Sequence, residues 1–336
     1  MRLQPKRAII ELTDTCNLTC KTCTVWQKQY HETRDAKKKL AYQDIIRVQE
    51  QLSRMGIHRV TYLGGEPFLN PHILAYARHA RSVGLYPAVV TNGTVLDHHA
   101  IRSISADNLF DVMIFSLDGP RQVHDMIRGK PGTHDRLVAV ISELRKIKAK
   151  THKKNPKIFI YMTISTFNYP YLYDVFYQAL HLGAQKIKYI AASCVTQELM
   201  RSTNECCGRD SVRMHSYQVS PDVRLTEDHK TMIRSAAYAL LDRAQHHGIA
   251  MSIEPILLDA RSNRCRFIGN EIIVDPYGEV LLCPMLNQAC IGSLQKMNLE
   301  RLLSGRQAYE LFSHVAKKPM PICAECCVEK LAISVQ

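Results

Sequence analysis

No uninterrupted apolar run in this chain approaches the ~18 residues that a membrane-spanning helix needs, so no transmembrane segment is predicted. The opening, Met1-Arg2-Leu3-Gln4-Pro5-Lys6-Arg7, lacks the apolar stretch and small-residue cleavage site of a secretory signal and leads into strand-like sequence. A cytoplasmic location is the expectation. Acidic residues are in short supply, 31 against 44 Lys and Arg, for a formal charge of +13. Such a balance invites a polyanionic partner, yet the basic residues are spread along the chain. Their densest run, 146–157, closes an amphipathic helix bearing Leu137, Val140, Ile141, Leu144 and Ile147. Lysines there answer the helix dipole, so a nucleic-acid partner is not expected. Tryptophan is almost missing, with Trp26 alone.

Cysteine is what the chain has in quantity. Twelve of them, with no export signal, argue for metal rather than disulfides, because the cytosol keeps thiols reduced. The first group, Cys16-Asn-Leu-Thr-Cys20-Lys-Thr-Cys23, follows the apolar run 8–12. Three thiolates at this spacing can hold three corners of an iron–sulfur cube. Clusters held wholly by protein take four, so three leave one iron open to another ligand. Structural zinc is the competing reading, but it wants four ligands in closed pairs. No neighbouring cysteine completes such a knuckle, and the nearest candidate histidine is His31.

Further along, helix and strand patterns alternate, which favours a parallel α/β architecture. Strands are predicted over 8–12, 58–63, 86–90, 111–116, 157–164, 186–191 and 250–253. Helices are predicted between them over 42–55, 71–83, 98–104, 134–148, 171–182 and 226–247. With 336 residues available, this amounts to a partial (β/α)6 barrel plus an appendage. Function in such barrels collects at the carboxyl ends of the strands. The second strand ends in Gly64-Gly65-Glu66-Pro67, whose glycines let backbone approach a ligand closely. The third ends in Thr91-Asn92-Gly93, and the fourth in Ser116-Leu117-Asp118-Gly119, followed by His124-Asp125 and Arg128-Gly129.

A second cysteine group lies near the end. Residues 271–283 read as a β-hairpin around the turn Asp275-Pro276-Tyr277-Gly278, with Cys265 before it and Cys283 at its close. Gly292-Ser293-Leu294, a helix over about 299–315 and Cys323-Ala-Glu-Cys326-Cys327 follow. Cys265, Cys283, Cys323 and Cys326 can surround one cube, or one tetrahedral zinc. Cys290 or Cys327 could replace one of them. Cys194, Cys206 and Cys207 lie in or beside the polar insertion 196–224, near the expected barrel mouth; spare thiols are the ordinary fate of such residues.

These motifs, from Ile9 to about Lys330, resemble the radical S-adenosylmethionine (SAM) enzymes. The resemblance implies a 4Fe-4S cluster on Cys16, Cys20 and Cys23 whose open iron is chelated by the methionine end of SAM. It implies that Gly64, Gly65, Glu66 and Pro67 hold the methionine amino group, with Asn92 lining the site. Ser116 would contact the ribose or methionine within the Ser116–Asp118 segment, and Arg128 would pair with the carboxylate, which suits a guanidinium fork. The end of the chain resembles the twitch form of the SPASM extension, which implies an auxiliary 4Fe-4S cluster on Cys265, Cys283, Cys323 and Cys326. The implied division is 1–225 for the radical SAM core, 226–260 for the last barrel helix and strand, and 261–336 for the auxiliary domain. One position departs from the pattern: the residue before the third cysteine, usually aromatic, is Thr22, and Trp26 is the candidate substitute for stacking.

The chemistry implied is reductive SAM cleavage followed by abstraction of a substrate hydrogen, with the electron supplied by a flavodoxin- or ferredoxin-type donor. Three functions stand open. The favoured one is an oxidoreductase acting on a small molecule or lipid precursor. The second is a peptide-maturing enzyme with a separate leader-binding partner, and the third a non-enzymatic zinc protein. No general base is assignable; Glu254 and Asp259 are the candidates. Pro284 follows Cys283, where sulfatase-maturing relatives carry an Asp.

Overall fold

The computed structural model describes residues 3–26, 38–192, 195–207, 221–254, 265, 267–286, 289–317, 320–325 and 333–335. Apolar residues in the early strands, Ala8 and Ile10 of β1 and Val60 and Tyr62 of β2 among them, give the sheet a face that must be covered. That face is covered by helices. β1 (Arg7–Glu11), β2 (Arg59–Leu63), β3 (Tyr86–Thr91), β4 (Val112–Ser116), β5 (Lys157–Ile164), β6 (Lys186–Ala191) and β7 (Ala250–Ile253) run parallel, each beside the next. Parallel neighbours need long crossovers. These are α1 (Tyr42–Arg54), α2 (Ile73–Ser82), α3 (His98–Ala106), α4 (Arg121–Arg128) with α5 (Thr133–Thr151), α6 (Leu172–His181), and α7 (Gln197–Cys207) with α8 (Glu227–His246).

The hairpin forms where expected. β8 (Glu271–Val274) and β9 (Glu279–Leu281) pair antiparallel around the Asp275–Gly278 turn, with Gly278 at a φ of +83°. It continues the barrel's own sheet, because β8 lies parallel to β1 with Ala8 opposite Ile272 and Ile10 opposite Val274. β10 (Cys290–Ser293) adds to β9, and β11 (Ile333–Val335) runs antiparallel on the far edge of β7. The described strands thus make one open eleven-stranded sheet, β10-β9-β8-β1-β2-β3-β4-β5-β6-β7-β11. The single helix expected over 299–315 is two, α9 (Leu299–Ser304) and α10 (Arg306–Lys317), divided at Gly305. α4 and α7 had no periodic signal long enough to predict them. α4 is only eight residues long, and both sit in polar, turn-like sequence.

Side-chain direction follows from two tyrosines. Tyr62 Oη donates to the Tyr76 carbonyl of α2, and Tyr189 Oη to the Leu172 carbonyl at the start of α6, so both face the helices and both are fully buried. Their neighbours Thr61, Leu63, Lys188 and Ile190 face the opposite, concave side and keep partial exposure. Closed eight-stranded barrels fill their interior with side chains. This sheet leaves its concave face accessible.

The helix layer is dry and tightly packed. Leu52 of α1 is fully buried in the main core. Leu52→Ala is expected to cost about 2–5 kcal/mol in urea unfolding while leaving iron incorporation unchanged, because Leu52 lies on the helix side of the sheet.

Candidate functional site

The loop from Thr13 to Trp26 leaves the carboxyl end of β1 and carries the first three cysteines. Backbone contacts with the Gly64-Gly65 turn pin its start: Gly65 N donates to Thr13 O at 2.8 Å and Glu66 N to Thr15 O at 2.9 Å. A Cβ on Gly64 would lie 2.3 Å from Thr13 O, and one on Gly65 2.1 Å from Thr15 O. These glycines were expected to admit a ligand's approach. The chain segment that approaches them is the cysteine loop itself, which leaves no room for a side chain. Gly129, left-handed at φ +71° and capping α4, does the same from the other side. A Cβ there would lie 2.3 Å from Thr19 Oγ1, and next to it Lys21 N donates to Ile127 O at 2.8 Å.

Glu66 fastens this assembly to β3. Its Oε1 accepts from Phe68 N at 3.1 Å and Thr91 Oγ1 at 2.7 Å, and its Oε2 from Asn92 N at 2.8 Å. Burial nevertheless pushes its carboxyl up to about 7 against the three donors. Pro67 begins a short 3₁₀ turn capped by Glu66. Asn92 reaches back to the cysteine loop: its Nδ2 donates to Asn17 Oδ1 at 3.0 Å, while Asn17 Nδ2 donates to Thr94 Oγ1 at 2.8 Å. Asn17 and Thr94 escaped the sequence reading. Asn17's only signal was its place beside Cys16.

The Ser116–Arg128 segment forms a buried charge network. Asp118 is fully buried and sits 2.7 Å from Arg128 Nη2. Its Oδ1 accepts from Thr163 N at 3.0 Å, and its own N donates to His124 Nδ1 at 3.1 Å. His124 is therefore the neutral tautomer protonated at Nε2; burial, then the Arg128 charge, pushes it down to about 2. Arg128 Nη1 also lies 3.8 Å from Cys20 Sγ, while its Nε is buried with no hydrogen-bond partner. Arg128, expected on a ligand carboxylate, has its fork engaged by Asp118 and Cys20 in the fold, with its Nε unpaired. Ser116 ends β4 on the concave side, half-buried.

Burial raises the thiols of Cys16 and Cys20 and pushes Cys23 up to about 12. In the metal-free chain they stay protonated, and each becomes a thiolate only against a compensating positive charge such as iron. That donor set fits a three-thiolate iron–sulfur site. Trp26 lays its indole against the loop, Nε1 donating to Cys20 O at 3.0 Å, and stays 42% exposed.

In the second group Cys265, Cys283 and Cys323 pack around one apolar cluster with Ile268, Met285 and Ile322. Burial pushes Cys283 up to about 12, with Cys265 and Cys323 near enough to add to the rise. Cys290 lies in β10 with its Sγ 3.5 Å from Gly292 O. Among the described residues no three His, Cys, Asp or Glu side chains close round a single metal ion. His31, Cys194, Asp259, Cys326 and Cys327 lie outside the described residues. Cys206 is exposed. Glu254, at the end of β7, is buried, and its Oε2 accepts from Ala191 N at 2.8 Å.

Two outcomes follow from the clamp. Gly65→Ala should cost the reconstituted protein about four irons per chain, read by iron and sulfide analysis, because the loop cannot seat. The folded chain favours protonated Glu66, so this group's contribution is full below its ordinary 4.5 and lost as pH rises through about 7. The unfolding free energy from urea titrations should therefore fall for the wild type relative to Glu66→Gln between about pH 5 and 8, by up to about 3 kcal/mol.

Comparison with known proteins places these features. The family model of the Radical SAM superfamily matches residues 10–175, and that of the iron-sulfur cluster-binding domain SPASM matches 265–327, together more than half the chain. The chain is similar to the PqqA peptide cyclase of Rhodopseudomonas palustris, 26% identical over 157 residues, 45% of this chain and 41% of that protein. It is also similar to the AdoMet-dependent heme synthase of Methanosarcina barkeri, 29% identical over 143 residues, 42% of this chain and 40% of that protein. The matches thus span about two fifths of these curated relatives. In fold it resembles Streptococcus suis SuiB bound to S-adenosylmethionine, with a TM-score of 0.72 at 15% identity over 97% of this chain and 72% of that one. It likewise resembles anSMEcpe with bound AdoMet and Kp18Cys peptide, at 0.67 and 18% over 96% and 86%. Both likenesses speak to the fold alone. Since the first matched segment encloses the cysteine loop with the glycines that hold it, and the second encloses the later cysteines, the chain belongs to the Radical SAM superfamily, carries an iron–sulfur cluster-binding SPASM domain, and has SAM and 4Fe-4S clusters as its cofactors.

Proposed function

We propose that this protein is an enzyme that cleaves SAM reductively at the Cys16, Cys20 and Cys23 site and removes a hydrogen atom from a small-molecule or lipid-precursor substrate. The observation that carries the reading is the placement of those three thiols on a loop clamped at the strand carboxyl ends, beside an accessible concave face. When bound, the cluster and SAM supply a 5′-deoxyadenosyl radical.

The chain's own residues bind and orient. Arg128 holds its leftover Nε donor for the methionine carboxylate, which a guanidinium recognises through directed N–H groups. Asp118 and His124 keep that guanidinium in place. Glu66 and Asn92 hold the Gly64-Gly65 turn and the cysteine loop in one piece. The substrate would lie on the concave face, where Ser116, Tyr161, Lys188 and Ser252 share one register row across β4 to β7. Lys188 Nζ stands 5.6 Å from the centre of the Tyr161 ring in that row. Glu254, one step further toward the mouth on β7, is the proposed acid–base residue. Cys265, Cys283, Cys323 and Cys326 are proposed to hold the auxiliary cluster, and a small flavodoxin- or ferredoxin-type protein to deliver electrons.

A peptide substrate is the second reading. It is favoured by the similarity to the PqqA peptide cyclase. A short peptide encoded beside this protein would select it.

Anaerobic reconstitution should load about eight irons per chain, falling to about four in a Cys16/Cys20/Cys23→Ala triple variant. With dithionite and SAM the wild type should release 5′-deoxyadenosine and the variant none. Zinc without iron in both proteins would end the enzyme reading.

A further inference from the structure

We infer that Tyr277 is a positioning residue for the SAM-cluster loop, so that the C-terminal hairpin completes the first cysteine site. Asp14 lies two residues before Cys16, and its side chain is 3% exposed. Its Oδ2 accepts from Tyr277 Oη at 2.5 Å, and its Oδ1 pairs with Lys39 Nζ at 2.5 Å. Tyr277 stands at the β8–β9 turn, 263 residues further along the chain.

The turn presents the phenol rigidly. Asp275 Oδ1 accepts from Tyr277 N at 3.0 Å and from Glu279 N at 2.8 Å. The segment ahead of α1 is tied to the same turn: Leu40 N donates to Pro276 O at 2.8 Å, and Gln295 Nε2 bridges Lys38 O at 2.8 Å and Tyr277 O at 3.3 Å. The two described partners of the Asp14 carboxylate are thus fixed by the hairpin and its neighbours.

A phenol donating at 2.5 Å to a carboxyl oxygen that water does not reach makes a directed bond with no solvent competitor. The β1–β8 ladder aligns the strands only as far as Ile10 opposite Val274. Past that point the Tyr277–Asp14 bond carries the hairpin's position into the loop. The hairpin is also the element that brings Cys283 to the second site, two residues after β9. The second cysteine group and the first are therefore joined through one turn.

The inference rests on the cluster assignment at Cys16, Cys20 and Cys23 and is independent of the substrate. Its test is Tyr277→Phe, which removes the hydroxyl and keeps the ring. In the iron-loaded protein, hydrogen exchange of residues 12–23 should quicken roughly tenfold, the scale of one hydrogen bond, while exchange of 86–91 stays as in the wild type. The change that SAM induces in the electron paramagnetic resonance of the reduced cluster should need roughly tenfold more SAM. Unchanged exchange over 12–23 overturns the proposal. Loss of protection in 86–91 as well also overturns it, because Tyr277 would then be holding the fold rather than the loop. If the wild type takes up no iron, the proposed function falls, and the same exchange comparison on the iron-free chain still decides the role of Tyr277.

Discussion

Everything at the catalytic end of this protein depends on one steric constraint, the contact of the Gly64-Gly65 backbone with the backbone of Thr13 and Thr15. Three thiols on a flexible loop would lose ordering entropy each time they gathered around a cluster. The loop is ordered beforehand instead. Glycines press it from the β2 side and from the end of α4, and neither contact tolerates a Cβ. Glu66, Asn92 and Asn17 then lock the two flanks to β3 through hydrogen bonds.

Electrostatics act on the preordered loop. Buried thiols resist ionisation, and a buried guanidinium would be costly without a partner. Asp118 supplies that partner at 2.7 Å, and neutral His124 holds the Asp118 backbone. A positive charge thereby stands beside Cys20 without a neighbouring cation to repel it. It favours the thiolate. At the second group no arginine plays this role among the described contacts; the thiols sit in an apolar surround of Ile268, Met285 and Ile322.

The open sheet explains how one chain holds both groups. Parallel pairing of β8 to β1 uses a strand edge that a closed barrel would not offer. The C-terminal hairpin covers that edge, and the turn it presents lies over the start of the cysteine loop. An exposed parallel edge would be a liability for association. Here it is occupied by the element that carries the second set of cysteines.

Much of this could be read from residue order, because local patterns carry it. Short apolar runs set β1 to β7, helical spacing set most of the crossovers, and Asp275-Pro276-Tyr277-Gly278 set the hairpin turn. The spacing of Cys16, Cys20 and Cys23 named the cluster chemistry, and the order of motifs along the chain named the superfamily. What residue order left open were relations between distant segments, which have no local signature. The glycines of the second strand touch the loop of the first, Asn92 of the third reaches Asn17, and Tyr277 reaches Asp14 from the other end of the chain. Sequence determined which groups the protein owns and the chemistry they permit, since these depend on residue type and spacing. The tertiary structure alone decided what holds them, because close approach and burial exist only once strands far apart in the chain lie side by side.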